Sequence, residues 1–320
     1  MDKKDKKILT ELIVNSRIPI NQLAKQVGIS REVASYRLNN LIKKKVILGF
    51  YAVIDTEKLG FSRFTCFFQL KGITHEKEKE IIKSLSQNDF ITYLSSVIGK
   101  WNIVFDLLAK DRNHLERIIK EITEKILTNL ESYIIISAGT EQEMFPTKLL
   151  GIKKEIHYKK SDKKIKVDKI DLQILKLIST NSRIEYKELA EKIKLTANAI
   201  KYRIKNLGVV GIIKGYTASI DIRKFGYEWY NLQLKLTSNK KESELKRFLR
   251  QNLNVIYFYK YLGHENWDLD IGVIVKNSLE LRDFILELRE KFGDILKIYD
   301  IYVIVEESKP NQAPEGIFKT

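Results

Sequence analysis

The chain has 320 residues, of which 44% are hydrophobic, and a formal charge of +16. That length gives room for two to four compact domains with ordinary cores. No apolar run approaches the roughly 18 residues of a membrane span, and the start MDKKDKKIL lacks a signal-peptide stretch, so a cytoplasmic protein is expected. The single cysteine, Cys66 in the run FTCFFQL, excludes an internal disulfide and reads as a small buried hydrophobe.

Residues 4–15 place Ile8, Leu9, Leu12 and Ile13 on one helical face, with Asp2 and Asp5 near the start. The turn Asn15-Ser16-Arg17 ends this helix. Pro19 suits the start of a second helix over 21–27, whose inward residues are Leu23, Ala24 and Val27. Gly28 supplies a tight turn, and Ser30 caps a third helix that runs to about Lys44. This helix buries Ala34, Leu38 and Leu41 and turns Arg31, Glu32, Ser35, Tyr36 and Asn39 outward. An extended apolar stretch, 46–55, follows. The next elements read as strand (63–71), helix (75–87), strand (90–98), strand (101–109), helix (112–128) and strand (131–137). That order is the ferredoxin-like split βαβ. The Lys-rich stretch 153–169 then reads as a solvated tether or as an extra phosphate contact.

Beyond it the chain repeats itself. Residues 171–227 align without a gap on 5–61 at an offset of 166, with 20 of 57 positions identical. Leu172, Ile174, Leu175 and Ile178 rebuild the first helix, and Leu189, Ala190 and Ile193 the second. Thr196 caps the third, which buries Ile200, Ile204 and Leu207 and shows Asn198, Lys201, Tyr202 and Lys205. Lys194 replaces the turn glycine Gly28, so a turn needing positive φ would be strained in the second copy. The sandwich pattern recurs over 228–237, 240–252, 254–262, 267–275, 278–292 and 295–305.

The expected organisation is α+β and tandem. A helical head occupies 1–48, a linker strand plus ferredoxin-like βαββαβ domain 49–150, and a basic linker 151–168. A second head occupies 169–214, and a second linker strand plus ferredoxin-like domain 215–320. Each sandwich sheet leaves one face without helices, and the other copy is its natural cover.

The excess charge is about +7 in 1–49, about +5 in 153–169 and about +5 in 171–214, against about −1 and 0 in 50–152 and 215–320. Charge confined to matching parts of two repeats is a footprint for a polyanion. A short helix, a tight turn and a capped helix with polar outer residues make a helix-turn-helix, whose last helix meets base edges in the DNA major groove. The candidate contacts are Arg31, Ser35, Tyr36, Arg37, Asn39 and Lys43 in the first head, and Asn198, Lys201, Tyr202, Arg203 and Lys205 in the second. Arg37 and Arg203 read equally as phosphate contacts or as intramolecular ion pairs. The outer faces of the two readers differ, so unlike half-sites are expected.

Several stretches carry a family resemblance. They are Gly49-Phe50-Tyr51-Ala52-Val53-Ile54-Asp55, its counterpart Gly215-Tyr216-Thr217-Ala218-Ser219-Ile220-Asp221, Leu59-Gly60, Phe225-Gly226 and Asn181-Ser182-Arg183. The loops Gly99-Lys100-Trp101-Asn102 and Gly263-His264-Glu265-Asn266-Trp267-Asp268 add to it. Over nearly all of 5–138 and 171–305 the chain resembles the Lrp/AsnC family of bacterial and archaeal regulators, in tandem. The resemblance implies a transcription regulator whose winged or linked heads bind double-stranded DNA. Its sandwiches, the RAM domains, would self-associate and sense a small effector such as an amino acid. Carried over, the effector candidates are Gly99, Trp101, Asn102, Gly263, Trp267 and Asp268. Asn102 stands where the family usually has an acidic residue, and Trp101 and Trp267 read equally as core aromatics.

Two rivals remain. Siroheme decarboxylases resemble this architecture, but their chemistry needs His and Arg gathered in a pocket. The four histidines, His75, His114, His157 and His264, do not recur at the repeat offset, and no metal-ligand spacing, P-loop or nucleophile motif appears. No enzyme activity, cofactor or metal is therefore expected. The other rival is a module that binds only proteins.

Overall fold

The computed structural model describes residues 1–143, 150, 166–261, 267–309 and 313–319, without the side chains of 138–143, 298 and 299. The chain folds as two compact units, each drawing on both repeats. One unit comprises 1–61, 149–221 and 312–320, and the other 62–148 and 222–311. The basic linker, expected at 151–168, lies outside the described residues over 151–165.

The first unit holds both heads. Helices α1 (Lys3–Val14), α2 (Ile20–Val27) and α3 (Arg31–Lys43) form one, and α6 (Lys169–Thr180), α7 (Tyr186–Ile193) and α8 (Ala197–Val209) the other. Each helix begins where the chain offers a cap. Asp2 and Asp168 accept backbone N–H bonds at α1 and α6, and Ser30 and Thr196 do so at α3 and α8. Such caps satisfy N–H groups that have no partner inside the helix. Gly28 ends α2 at φ 74°, ψ 53°, and Lys194 ends α7 at φ 60°, ψ 46°. The second copy thus forces a lysine into the left-handed region that its counterpart fills with glycine. Lys194→Gly should stabilise this unit by roughly 0.5–1 kcal/mol, the strain relieved less the entropy glycine loses. Urea unfolding with no gain would show the turn to be unstrained.

The linker strands β1 (Ile47–Ile54) and β6 (Ile213–Ile220) belong with the heads. They pair antiparallel, Phe50 opposite Ala218, Tyr51 opposite Thr217 and Ala52 opposite Tyr216. Each strand also docks on the other copy's head. The Ser16 N–H donates to the Tyr216 carbonyl (3.1 Å), and the Ser182 N–H to that of Phe50 (2.8 Å). Ala52 completes the apolar core of the second head.

The second unit is a closed barrel of eight strands. They are β2 (Ser62–Leu70), β3 (Ile91–Ile98), β4 (Ile103–Ala109), β5 (Leu130–Glu143), β7 (Glu228–Leu236), β8 (Val255–Tyr261), β9 (Leu269–Val275) and β10 (Leu296–Lys309). Their order around the barrel is β10-β3-β4-β2-β5-β8-β9-β7. Each repeat contributes one ferredoxin-like sheet, covered on its outer face by α4 (His75–Ser86) and α5 (Arg112–Ile126) or by α9 (Glu242–Gln251) and α10 (Ser278–Phe292). The sheets were expected only to pack together; they also join at their edges. Strand β5 pairs with β2 through Ser137 and then with β8 from Ala138 onward, and β10 passes from β7 to β3 in the same way. Both strands therefore outrun their sequence-based limits, because their far ends satisfy the open edge of the other repeat. Cys66 is fully buried, and burial pushes its thiol well up.

Candidate nucleic-acid interface

The third helix of each head presents the expected polar face. Arg31, Ser35, Tyr36, Asn39 and Lys43 are exposed on α3, as are Asn198, Lys201, Tyr202 and Lys205 on α8. The two tyrosines at matching positions are both bare, Tyr36 at 70% exposure and Tyr202 at 66%. A tyrosine this bare has its hydroxyl and ring available to a ligand. On the first head, Arg31, Ser35 and Asn39 share an open groove of about 560 Å³ with Leu48 and Phe50 of β1.

Arg37 and Arg203 behave differently, and of their two readings the structure shows the intramolecular ion pair. The Arg37 guanidinium lies 2.8 Å from both Asp2 and Asp5, and that of Arg203 lies 2.8 Å from Asp168 and 2.9 Å from Asp171. The two carboxylates in each set are the N-cap of the head's first helix and the residue three beyond it. Each arginine thus pins the reader helix to the start of the first helix. At Asp2 the Asp5 amide and the guanidinium hold the carboxyl below its usual range. At Asp168 burial opposes the shift, yet the Asp171 amide and Arg203 outweigh it. Both arginines are raised by the carboxylates they hold.

The turn Asn15-Ser16-Arg17 and its copy do more than end a helix. The Ser16 and Ser182 hydroxyls meet at 2.6 Å, fully buried. Arg17 donates to the Ser182 carbonyl at 2.6 Å, and Arg183 returns the bond to Ser16 at 2.5 Å. Arg17 also lies over the rings of Tyr186 and Tyr216, at 4.7 and 5.6 Å, and Arg183 over Phe50 at 5.5 Å. Burial and the neighbouring Arg17 push Arg183 down from its usual value. The identity of this motif in both repeats was the available signal: each copy meets its own duplicate across a local twofold, and the motif is the seam that holds the heads together.

The sandwich loops also do structural work. Trp101 and Trp267 are buried, with 2% and 0% exposure, inside the barrel beside Phe67. The Asn102 side chain accepts from the Leu70 N–H, and the Asp268 side chain accepts from the Leu236 N–H, each at 2.7 Å. Those two bonds occupy matching positions of the repeats and tie off the ends of β2 and β7. Gly99 lies against the backbone of Ile301 and Tyr302. The effector candidates Gly99, Trp101, Asn102, Trp267 and Asp268 thus each make a structural contact in the barrel, and Gly263 lies outside the described residues. His75 opens α4, and the buried His114 accepts from the Lys110 N–H, while His157 and His264 lie outside the described residues.

Two capped reader helices, each with a polar outer face, held as a pair by a buried seam, define a helix-turn-helix DNA-binding protein. The winged helix-turn-helix DNA-binding family model matches residues 1–47 and 167–214. An HTH-type transcriptional regulator of Pyrococcus abyssi is 38% identical over 146 residues, 45% of this chain and 96% of that protein. LrpA of Pyrococcus horikoshii is 31% identical over 128 residues, 39% of this chain and 88% of its own length. The chain belongs to the Lrp/AsnC family of DNA-binding transcription regulators, with the family unit present twice. The siroheme decarboxylase NirDL shares the fold across the whole chain, with a TM-score of 0.66 over 99% of this chain and 96% of that one. At 13% identity this likeness speaks for the fold alone. Among the described residues no helix is long and apolar enough to cross a membrane.

Proposed function

We propose that the chain regulates transcription by gripping double-stranded DNA with both heads at once, as a fixed pair of unlike readers. The observation that carries this is the pairing of matched scaffolds with unmatched faces. The caps, the arginine clamps and the seam repeat position by position. The outer faces do not: Arg31, Ser35, Tyr36, Asn39 and Lys43 on α3 correspond to Ala197, Lys201, Tyr202, Lys205 and Val209 on α8. Arg and Lys suit guanine edges and phosphates, and Asn suits adenine, so the two heads call for different half-sites. Heads joined by a twofold seam address major-groove segments about 34–36 Å apart, or a multiple of that. The action is that of a regulator rather than an enzyme. The relatives named above are regulators, and His114 is already held in a structural bond.

Selection from random duplexes should return a site with two unlike halves. A perfect palindrome would sink the reading. On the selected site, Lys201→Ala should cost about 1–3 kcal/mol, roughly 5- to 150-fold in affinity. Normal affinity for both Lys201→Ala and Tyr36→Ala would mean that another face binds.

A further inference from the structure

Strands in a closed barrel alternate between an outer face and an interior. Here one half of the interior is apolar, built on Phe67, Trp101 and Trp267. The other half is polar. Asp270 on β9 is 1% exposed; its Oδ1 accepts from Asn231 Nδ2 at 3.0 Å and its Oδ2 from the Tyr302 hydroxyl at 2.9 Å. Asn231 Nδ2 also meets the hydroxyls of Tyr302 and Tyr257. A second carboxylate, Asp106 on β4, accepts from Thr65 at 2.7 Å and has Arg63 as counter-charge at 3.9 Å. Asp270 has none: among the described residues no lysine or arginine nitrogen stands within ion-pair distance of it. Burial, and next the nearby Asp106, push its carboxyl up to about 7, against the lowering bonds from Tyr302 and Asn231.

This region also holds polar atoms with nothing to bond. Among the described residues, neither end of the fully buried Gln233 amide has a hydrogen-bond partner, nor has the Asn231 Oδ1. The same is true of the Trp229 indole N–H. A buried amide without partners costs free energy, so such groups mark a place where something polar binds. The rings beside them are continuous. Trp229 lies 6.3 Å from Tyr93 and 5.9 Å from Tyr257, centroid to centroid. All three residues are half-buried, with the Tyr93 hydroxyl and the Trp229 indole nitrogen enclosed.

We propose that the polar half of the barrel is a binding site for a small organic ammonium ion, with Asp270 as its counter-charge and Trp229 and Tyr257 as flanking π faces. Three features select this chemistry. The carboxylate lacks a cation, Asn231 and Gln233 offer carbonyl oxygens to ammonium protons, and aromatic faces attract organic cations. A metal ion fits less well, since the described residues contain no group of three or more metal-ligating side chains. The site is independent of the DNA-binding reading.

The test uses the full chain at pH 8 and fixed ionic strength. n-Propylammonium chloride and the chloride salt of 1,4-diaminobutane are titrated against tryptophan fluorescence and thermal unfolding, with n-propanol and KCl as controls. The amines should give a saturable fluorescence change and raise Tm, whereas the alcohol and potassium should not. Asp270→Asn should weaken amine binding at least tenfold while binding the selected operator as the parent does, which shows that it is folded. Trp229→Phe should remove most of the fluorescence signal but keep the Tm shift. No saturable response to either amine overturns the site. An unchanged response in Asp270→Asn overturns the role of the carboxylate, and an equal response to potassium makes it an inorganic-cation site and overturns the proposal. Operator binding measured in the same samples reports separately on the heads.

Discussion

Arg17→Ala combined with Arg183→Ala should lower operator affinity by about 100-fold or more. Two heads bound as one rigid body gain from effective concentration, and that gain is commonly 10²–10⁴-fold. The two arginines span the seam in both directions, each giving a charged hydrogen bond to a carbonyl of the opposite turn. Such bonds contribute about 1.5–3 kcal/mol each, and the carbonyls left behind are partly enclosed. The double variant should therefore also unfold its head unit at lower urea. An arginine also binds phosphate, so a charge-neutral control is needed. Ser16→Val with Ser182→Val puts two branched side chains where hydroxyls now meet at 2.6 Å. It should produce a similar loss with the basic surface intact. Lost phosphate contacts would instead appear as a shallower salt dependence only in the arginine variant. Affinity within about threefold of the parent in both variants would refute the coupling.

The second large effect is a pH dependence carried by Asp270. Its folded carboxyl titrates near 7, against an ordinary value of 3.8. The folded state therefore keeps a proton that the unfolded chain releases, so this group adds stability below about pH 4 and loses it as pH rises through 7. The full difference sets a ceiling of about 4 kcal/mol, of which about 2–3 kcal/mol falls between pH 5 and pH 8. Asp270→Asn removes the charge while nearly keeping the shape. Urea unfolding followed by tryptophan fluorescence should show a much flatter profile for the variant, and higher stability than the parent at pH 8. Equal slopes would mean that Asp270 is charged and matched in the free protein.

Much of this was legible in the sequence, and most of what was missed depends on partners that one repeat alone does not contain. The head helices, their caps and the strained Lys194 follow from local chemistry within one repeat, and all are seen. The partners of Arg37 and Arg203 stayed open from sequence, because a basic residue on a reader helix suits phosphate as well as carboxylate. The deciding signal was the recurrence of Asp2 and Asp168 at the repeat offset. Strands β5 and β10 outran their expected ends because their last residues pair with the other repeat, which periodicity inside one repeat cannot register. The loop carboxamide and carboxylate, Asn102 and Asp268, looked like ligand-binding groups. What they share is an acceptor oxygen, and that is what a strand end requires. The polar interior was hidden for a different reason. On β7, Asn231 and Gln233 alternate with Leu232 and Leu234, a pattern that normally means one wet face and one dry. Barrel closure turned the face that reads as wet inward.

Ser16 touches Ser182, and Tyr51 opposes Thr217; both pairs are separated by the repeat length of 166 residues. In a protein made of separate subunits such contacts would weaken on dilution, and either partner could be traded for a sibling from a related assembly. Here both halves leave the ribosome together. Head pairing is first order in chain and indifferent to expression level.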